Sequence, residues 1–454
     1  MSVGLFSGVS GLALGTGLYK NVSGLWGGAA GLIDGSGGGS PFGGASLYLD
    51  FLTGAPLDSR ITFTRSTTAT FVGSNGLIQS AAINEPRFDY DPVTLAAKGL
   101  LIEEQRANLL TYSEDFSNVI WTKTGSTVTS NATVSPDGLT TADKAVEDTS
   151  TGTHNVFNAG AGAAGAHTFS VWAKAAGRNW IVVRIEGVDT YFNLSNGTIG
   201  TIGAGITASI QAFSNSWYRC AVTKTLAGAV ACTYRLATDN NVSSYTGDGT
   251  SGVFLWGAQL EAGAFATSYI PTVASQVTRS ADVATMTGTN FSSWYNQTEG
   301  TFVADGSLPT ISVAFPNFYT VSTGLGTNRI TQGTTSASPT LTVVSGGVMQ
   351  VSLPSGFPPS TTPFKVASSY KLDDFASCLS GGTVVTDTSG ILPIGVDRIA
   401  IGTNATTTGA FANGHIRQLA YFNTRLSDAQ LQELTAPPLV TTLSLDFTNG
   451  IYDA

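Results

Sequence analysis

The sequence predicts an all-β protein built from tandem β-sandwich domains of the jelly-roll type, preceded by a glycine-rich, extended N-terminal anchor. Glycine occurs 54 times in 454 residues, and only 11% of the residues are charged. Ser, Thr and β-branched side chains therefore dominate, and they suit strands and turns better than helices. Short runs of alternating apolar and polar residues recur along the chain, and turn sequences such as residues 135–138 separate them.

Charge and cysteine content exclude several classes of protein. The chain has a net charge of -9 and no Lys/Arg cluster that could neutralise phosphates, which argues against nucleic-acid binding. It has no run of about 18 apolar residues, so no membrane-spanning helix is expected. Its first residues lack the basic region of a secretory signal. Cys220, Cys232 and Cys378 are too few for a disulfide framework. We therefore expect folding in a reducing cytoplasm and release by another route, such as lysis.

The N-terminal segment, residues 1–44, contains an internal repeat, because GLFSGVSGL at residues 4–12 recurs as GLYKNVSGL at residues 17–25. Apolar residues alternate there with glycines, so the segment cannot build a core of its own. It can lie extended against another subunit, where glycine allows close backbone approach. We interpret it as a particle anchor or a trimer seam, with a flexible tail as the alternative. Residues 35–44 are typical of a flexible link.

The next two segments differ in their density of strand signals. Residues 45–107 contain short extended pieces and are interpreted as an extended β neck. Residues 108–285 are predicted to form one sandwich, because strand-like runs separated by turns recur at regular spacing. Examples of these runs are residues 166–173, 180–185, 217–224, 229–236 and 252–260.

A second sandwich is predicted over residues 286–436. Its strand-like runs are followed by one clear helix at residues 427–435, which Ser427 can cap. Residues 437–454 form a C-terminal strand segment, in which residues 443–450 repeat the pattern of residues 47–54. We expect either a closing strand there or a following module that has been lost or is supplied elsewhere.

Several motifs carry a resemblance to known families. The first group is residues 99–116, 121–123, 135–138, 170–174, 217–220, 255–263 and 267–272. These resemble the head-spike and tail-fibre proteins of phage virions, and the last two are also similar to jelly-roll carbohydrate-binding modules. The second group is residues 299–302, 397–402, 414–422 and 425–427. These are similar to laminin-G and concanavalin A-like sandwiches.

The resemblance implies a structural fibre or spike protein on the virion surface of a bacteriophage-like particle. Its N-terminus would attach to capsid or tail proteins, and its sandwiches would bind host cell-surface polysaccharide. A homotrimer is expected, since weak sites gain avidity when several act together. We do not expect an enzyme, because no paired carboxylates or nucleophile elbow stand out. The alternatives are a polysaccharide depolymerase and a purely structural decoration protein.

A sugar-binding site needs a flat aromatic surface for the C–H face of the ring and polar side chains for its hydroxyls. Residues of both kinds lie near turns or strand ends of the first sandwich. The candidate carbohydrate-binding residues are Trp121, Arg178, Trp180, Arg184, Asp189, Tyr191 and Tyr245. Trp172, Trp217 and Trp256 lie within strands among apolar neighbours, and we expect them in the core.

No cofactor is expected, with a structural calcium ion as the alternative. Calcium takes carboxylate and carbonyl oxygens, and lectin-like jelly rolls often carry one. Asp137, Asp248 and Glu261 are the candidate ligands by turn position and by resemblance. Nothing resembling an EF-hand or a zinc-binding spacing is present.

Overall fold

The computed structural model describes residues 42–54, 56–307, 315–335, 338–356 and 363–437. The predicted anchor, residues 1–44, and the predicted C-terminal segment, residues 437–454, lie outside these ranges except for residues 42–44 and 437. The described residues form almost entirely β-structure, which confirms the all-β fold class. In this part of the chain, no helix combines the length and apolarity needed to cross a membrane.

The strands fall into three groups along the chain. The first group is β1 (Leu47–Asp50), β2 (Thr62–Thr64), β3 (Ala69–Val72), β4 (Ile78–Ala81), β5 (Phe88–Tyr90), β6 (Ala97–Ile102) and β7 (Arg106–Asn108). The second is β8 (Trp121–Thr124), β9 (Ser126–Thr133), β10 (Ala142–Glu147), β11 (Thr151–Gly152), β12 (Asn155–Ala161), β13 (Gly165–Ala176), β14 (Trp180–Ile185), β15 (Val188–Asn193), β16 (Thr198–Ile199), β17 (Thr207–Ala212), β18 (Tyr218–Leu226), β19 (Val230–Ala237), β20 (Tyr245–Thr246), β21 (Gly252–Ala262) and β22 (Val277–Arg279).

The third group includes both α-helices of the described residues. It consists of β23 (Val283–Thr287), α1 (Thr289–Ser292), β24 (Glu299–Ser307), β25 (Asn317–Ser322), β26 (Arg329–Thr335), β27 (Ser338–Ser345), β28 (Val348–Pro354), β29 (Phe364–Lys371), β30 (Asp374–Leu379), β31 (Val385–Asp387), β32 (Arg398–Ile401), β33 (Gly414–Phe422) and α2 (Asp428–Thr435). Helix α2 is the predicted one, and Ser427 caps it in a reciprocal capping box with Gln430.

The middle sandwich is inserted into the other one. Strands β7 and β22 pair antiparallel, with Asn108 opposite Val277 and Arg106 opposite Arg279. The chain therefore enters and leaves this region at one point. We call residues 109–276 the inserted sandwich. Its front sheet has the order β16-β15-β14-β19-β12-β8, and its back sheet has the order β17-β18-β13-β21-β10-β9. Apolar side chains such as Val171, Val183 and Leu255 fill the core between the sheets.

The second sandwich is built from both ends of the described chain, and we call residues 42–107 and 283–437 the composite sandwich. One sheet has the order β31-β30-β29-β24-β33-β6-β5, and β1 also pairs with β33. The other sheet has the order β2-β23-β32-β25-β26-β27-β28. Residues 45–107 are thus not an extended neck, because β1, β2, β5 and β6 belong to these sheets. The physical reason is burial: Leu47, Leu49, Leu100 and Ile102 are 0–2% exposed in the shared core.

An aromatic cluster joins the two sandwiches. The β3–β4 hairpin of the composite sandwich places Ile78 against Trp172, Trp217 and Trp256. Trp172 lies on the face of β13 opposite the inserted core, since its neighbours Val171 and Ala173 point into that core. The three tryptophans are therefore buried, as expected, but they pack at the joint rather than between the two sheets.

A buried network of ion pairs lies at the same joint between the two sandwiches. Asp282 pairs with Arg65, at 3.1 Å, and with Arg87. Glu103 pairs with Arg87, at 2.8 Å, and lies 3.5 Å from Arg279. All five side chains are at most 6% exposed. Arg65, Arg87 and Glu103 precede the insertion in the chain, and Arg279 and Asp282 follow it. The network therefore holds together the two segments through which the chain enters and leaves the inserted sandwich.

The charge of Glu103 depends on this network. Burial opposes ionisation, but the charges of Arg279 and Arg87 and the hydrogen bonds from Ser268 hold the pKa of Glu103 well below its usual range. The unfolded chain takes up a proton at this carboxyl near pH ~4.3, whereas the folded chain does not. The stabilisation is therefore present above that pH and is lost as the pH falls toward the lowered pKa.

We expect the free energy of unfolding to fall as the pH drops below about 5 and to keep falling below about pH 3, with Glu103 as one source of the slope. Glu103→Gln removes the titrating carboxyl, so the variant should be less stable at neutral pH and show a shallower loss on acidification. Urea unfolding across this pH range measures both quantities. An identical slope in the two proteins would rule out Glu103 as a contributor.

Candidate functional site

The outer face of the front sheet carries most of the predicted site residues. In β14, Ile181, Val183 and Ile185 point into the inserted core, so Trp180, Val182 and Arg184 point away from it. Strand pairing places Arg184 opposite Asp189 and Val182 opposite both Tyr191 and Arg235. The alternation of β14 thus gathers residues from three neighbouring strands on one surface.

Three of these outward residues and Asn155, which lies opposite Arg235 on β12, form a connected polar group, which we call the arginine row: Asn155, Arg184, Asp189 and Arg235. Asp189 bridges the two guanidinium groups, with its oxygens 2.7 Å from Arg184 Nη1 and 3.1 Å from Arg235 Nη1. Arg235 Nε donates to Asn155 Oδ1 at 2.8 Å. The arginine and aspartate side chains are 13–31% exposed. The row is therefore held in place by its own contacts while part of each charged group still meets solvent.

Two members of the row, Arg235 and Asn155, were absent from the predicted site. Arg235 lies inside β19, whereas the prediction favoured turns and strand ends, and Asn155 is the first residue of β12. A usable signal was present for Arg235, because it is the one charged residue of β19, a strand whose other side chains are mostly buried. Burial lowers the pKa of Arg235, although the nearby Asp189 opposes the shift. Two guanidinium groups share one carboxylate, so the row carries an excess positive charge.

Tyr191 does not provide the predicted surface platform. It is only 6% exposed, because a loop crosses it: its amide donates to Thr201 O at 3.0 Å, and its carbonyl accepts from Gly200 N at 2.8 Å. Its hydroxyl donates to Ser243 Oγ at 3.2 Å. Trp180 packs beside it and stays half-buried. Trp180 is therefore the predicted aromatic residue that still has an accessible surface next to the row.

Arg178 and Tyr245 form a separate cluster with Glu147, a residue that the prediction missed. Arg178 Nε and the Tyr245 hydroxyl each donate to Glu147 Oε2 at 2.7 Å. The Arg178 guanidinium lies 5.3 Å from the centre of the Tyr245 ring, and His154 packs 4.7 Å from that ring. The hydrogen bond to Glu147 raises the pKa of Arg178, and burial raises the pKa of Tyr245. Because the donors and acceptors of this cluster are already hydrogen-bonded to one another, the cluster is better suited to stabilising its loops than to binding a sugar.

Trp121 is a core residue. It is fully buried and packs 4.9 Å from Phe116 and 5.8 Å from Tyr234, measured between ring centres. Its indole nitrogen donates to Tyr112 O at 3.0 Å. Although Trp121 begins a strand just after a turn, its side chain points between the sheets and cannot meet a ligand.

The three candidate metal ligands do not form one site. Among the described residues, no three His, Cys, Asp or Glu side chains converge to hold an ion. Glu261 is buried and accepts hydrogen bonds from Gln259 Nε2, Thr267 N and Thr267 Oγ1 at 2.6–2.9 Å. Asp137 and Asp248 accept from backbone amides of their own turns. Each carboxylate therefore has a local structural role.

Comparison with solved structures gives partial similarities. One is the CBM40 module of the Ruminococcus gnavus IT-sialidase, with 17% identity over 32% of this chain and 88% of that chain, and a TM-score of 0.29. Another is the NanB sialidase of Streptococcus pneumoniae, with 15% identity over 34% of this chain and 27% of that chain, and a TM-score of 0.29. Domains LG4-5 of the mouse laminin α1 chain show 11% identity over 57% of this chain and 82% of that chain, with a TM-score of 0.20. No protein-family model and no curated protein matches the sequence.

Proposed function

We propose that the protein is a non-enzymatic fibre or spike component of a bacteriophage-like particle, and that its arginine row binds glycans of the host cell surface. One observation carries the binding part: Arg184, Asp189 and Arg235 hold a fixed, partly exposed set of donors and acceptors on the sheet face that also carries Trp180. Guanidinium groups donate in a planar fork and the carboxylate accepts. Adjacent sugar hydroxyls, which both donate and accept, match such a set.

The rigidity of the row favours weak but specific binding. The three charged side chains are already ordered by strand pairing and ion pairs, so a ligand does not have to order them. The contact area beside Trp180 is small, because Tyr191 is covered. A single site would therefore bind weakly. Attachment of several copies to capsid or tail proteins on the virion surface, as homotrimers, would raise the avidity.

We expect Asp189→Ala to weaken binding of host polysaccharide by about tenfold to a hundredfold, because hydrogen bonds to charged groups contribute about 1.5–3 kcal/mol each. The substitution removes one acceptor and releases both arginines from their positions. Surface plasmon resonance on immobilised polysaccharide, or adsorption of labelled protein to whole cells, measures the change.

A matched control is Asp397→Ala. Asp397 also pairs with an arginine, Arg398, at 2.7 Å, but this exposed pair lies on the composite sandwich. The control should bind like the wild-type protein, and incubation with either should leave the length distribution of the polysaccharide unchanged. Equal binding by wild type and Asp189→Ala would exclude the arginine row, and shortened polysaccharide would favour a depolymerase.

A further inference from the structure

A cavity of about 320 Å³ lies between the inserted sandwich and the composite sandwich. The inserted sandwich contributes Trp172, Phe213 and Arg219 to its walls, and the composite sandwich contributes Asp89, Lys98 and His415. Gln211 is exposed and Lys98 is half-exposed where they line it, so the cavity can be reached from solvent. Its size lies at the lower end of the range for small-molecule sites.

Two buried donors in this cavity lack acceptors. Among the described residues, neither Arg219 Nε nor Trp172 Nε1 has a hydrogen-bond partner, and Trp172 is only 1% exposed. The other nitrogens of Arg219 are used: Nη1 donates to Thr267 O at 2.7 Å, and Nη2 donates to Ser170 Oγ at 3.2 Å. Buried donors without acceptors are rare, because a buried donor that makes no hydrogen bond destabilises the folded protein. A ligand that brings acceptor atoms would remove that cost.

Arg219 also lacks a carboxylate partner. Within the described residues, its guanidinium lies 4.4 Å from the centre of the Trp172 ring and forms no ion pair. Burial lowers the pKa of Arg219, and the more distant charges of Glu261 and Glu103 offset this only in part. A partly buried cation without a carboxylate partner favours an anionic ligand over a neutral one.

The acidic groups facing the cavity are already engaged. Asp89 Oδ2 accepts from His415 Nε2 at 2.8 Å and lies 3.2 Å from Lys98 Nζ, while Oδ1 accepts from Val72 N at 2.7 Å. Glu103, which also lines the cavity, is paired with two buried arginines. These carboxylates are therefore neutralised by their own partners, and the Lys98 ammonium has further donors to offer.

We propose that this cavity is a second binding site, separate from the arginine row, and that it takes a small carboxylate-bearing sugar of the hexuronic acid type. Both nitrogens are closed to solvent in this structure, so the sugar carboxylate accepts from Arg219 Nε and Trp172 Nε1 after the side chains around them shift. The apolar face of the ring packs against Phe213, and its hydroxyls meet the polar wall at Lys98 and His415. The volume accommodates one sugar unit with a few water molecules.

Titration of the full chain with glucuronate tests the site, with glucose as the neutral probe of similar size. Isothermal calorimetry should show saturable glucuronate binding that is at least ~tenfold tighter than glucose binding. Arg219→Gln and Trp172→Phe each remove one unpartnered donor and should each weaken glucuronate binding by about threefold to tenfold or more. Asp189→Ala, in the arginine row, should leave it unchanged.

Three outcomes would overturn the second site: no saturable glucuronate binding up to tens of millimolar, equal affinity for glucose, or unchanged affinity in both variants. Circular dichroism and the unfolding midpoint show whether Arg219→Gln keeps its fold. If it does not, Trp172→Phe, which keeps an aromatic ring at the joint, decides the question. Because polysaccharide binding at the arginine row is measured with different variants, each of the two sites can fail without the other.

Discussion

A fragment comprising residues 283–437 is expected not to fold, because it lacks the strands that residues 42–107 supply to both sheets. Without β1 and β6, strand β33 loses the neighbours on one side. The core also loses Leu47, Leu49, Leu100 and Ile102. Each fully buried apolar side chain of this size contributes about 1.5–3 kcal/mol. Their sum approaches the whole stability of a typical domain, ~5–15 kcal/mol.

The matched control for this experiment is a protein in which a short flexible linker replaces the inserted sandwich and joins residues 42–108 to residues 277–437, so that β7, β22 and the buried Arg279 and Asp282 are kept. It should show the far-ultraviolet circular dichroism of a β-protein and unfold cooperatively in urea. The short fragment should show neither property. If residues 283–437 alone unfolded cooperatively at the same urea midpoint as the joined protein, the strands of residues 42–107 would not be needed for folding.

Asp282→Ala is expected to be the most destabilising single substitution at the joint, with a loss of about 3–5 kcal/mol in the free energy of unfolding. The carboxylate pairs with Arg65 and Arg87 and also accepts the Glu103 amide at 2.9 Å. All three partners are buried, so its removal leaves Arg65 without a carboxylate, Arg87 with Glu103 as its remaining carboxylate, and the Glu103 amide unpaired. Urea unfolding at neutral pH measures the loss.

Asp397→Ala serves as the control here too, because its exposed pair with Arg398 should contribute less than ~1 kcal/mol. The contrast between the two aspartates isolates the effect of burial, since each removes one carboxylate that pairs with arginine. A loss of similar size in both variants would show that the buried network does not stabilise the joint in the way described.

Strand positions were largely predictable from the sequence, whereas strand partners were not. The alternation of residues 180–185 predicts a strand with the bounds that the structure has. The same kind of pattern identifies residues 47–50 as a strand with one buried face. It cannot show that Leu49 pairs with Leu419, because periodicity records that a face is buried and not what buries it. The sequence pattern therefore predicted a neck followed by two successive sandwiches instead of an insertion.

The candidate site was only partly predictable for a related reason. Arg184 and Asp189 were found because they lie near a turn or a strand end, and their pairing follows from the register of β14 and β15. Trp121 and Tyr191 satisfy the same criterion but are buried, one between the sheets and one beneath a loop. The path of such a loop depends on contacts between distant residues, such as Asn240 with Thr201, that local pattern does not encode.

Hydrogen–deuterium exchange of the intact protein, with and without host surface polysaccharide, tests glycan binding at the arginine row most directly. We expect slower exchange in β14, β15 and β19 when polysaccharide is present, with the effect abolished by Asp189→Ala. Polysaccharide binding that leaves these three strands unchanged and protects only the composite sandwich would contradict binding at the row.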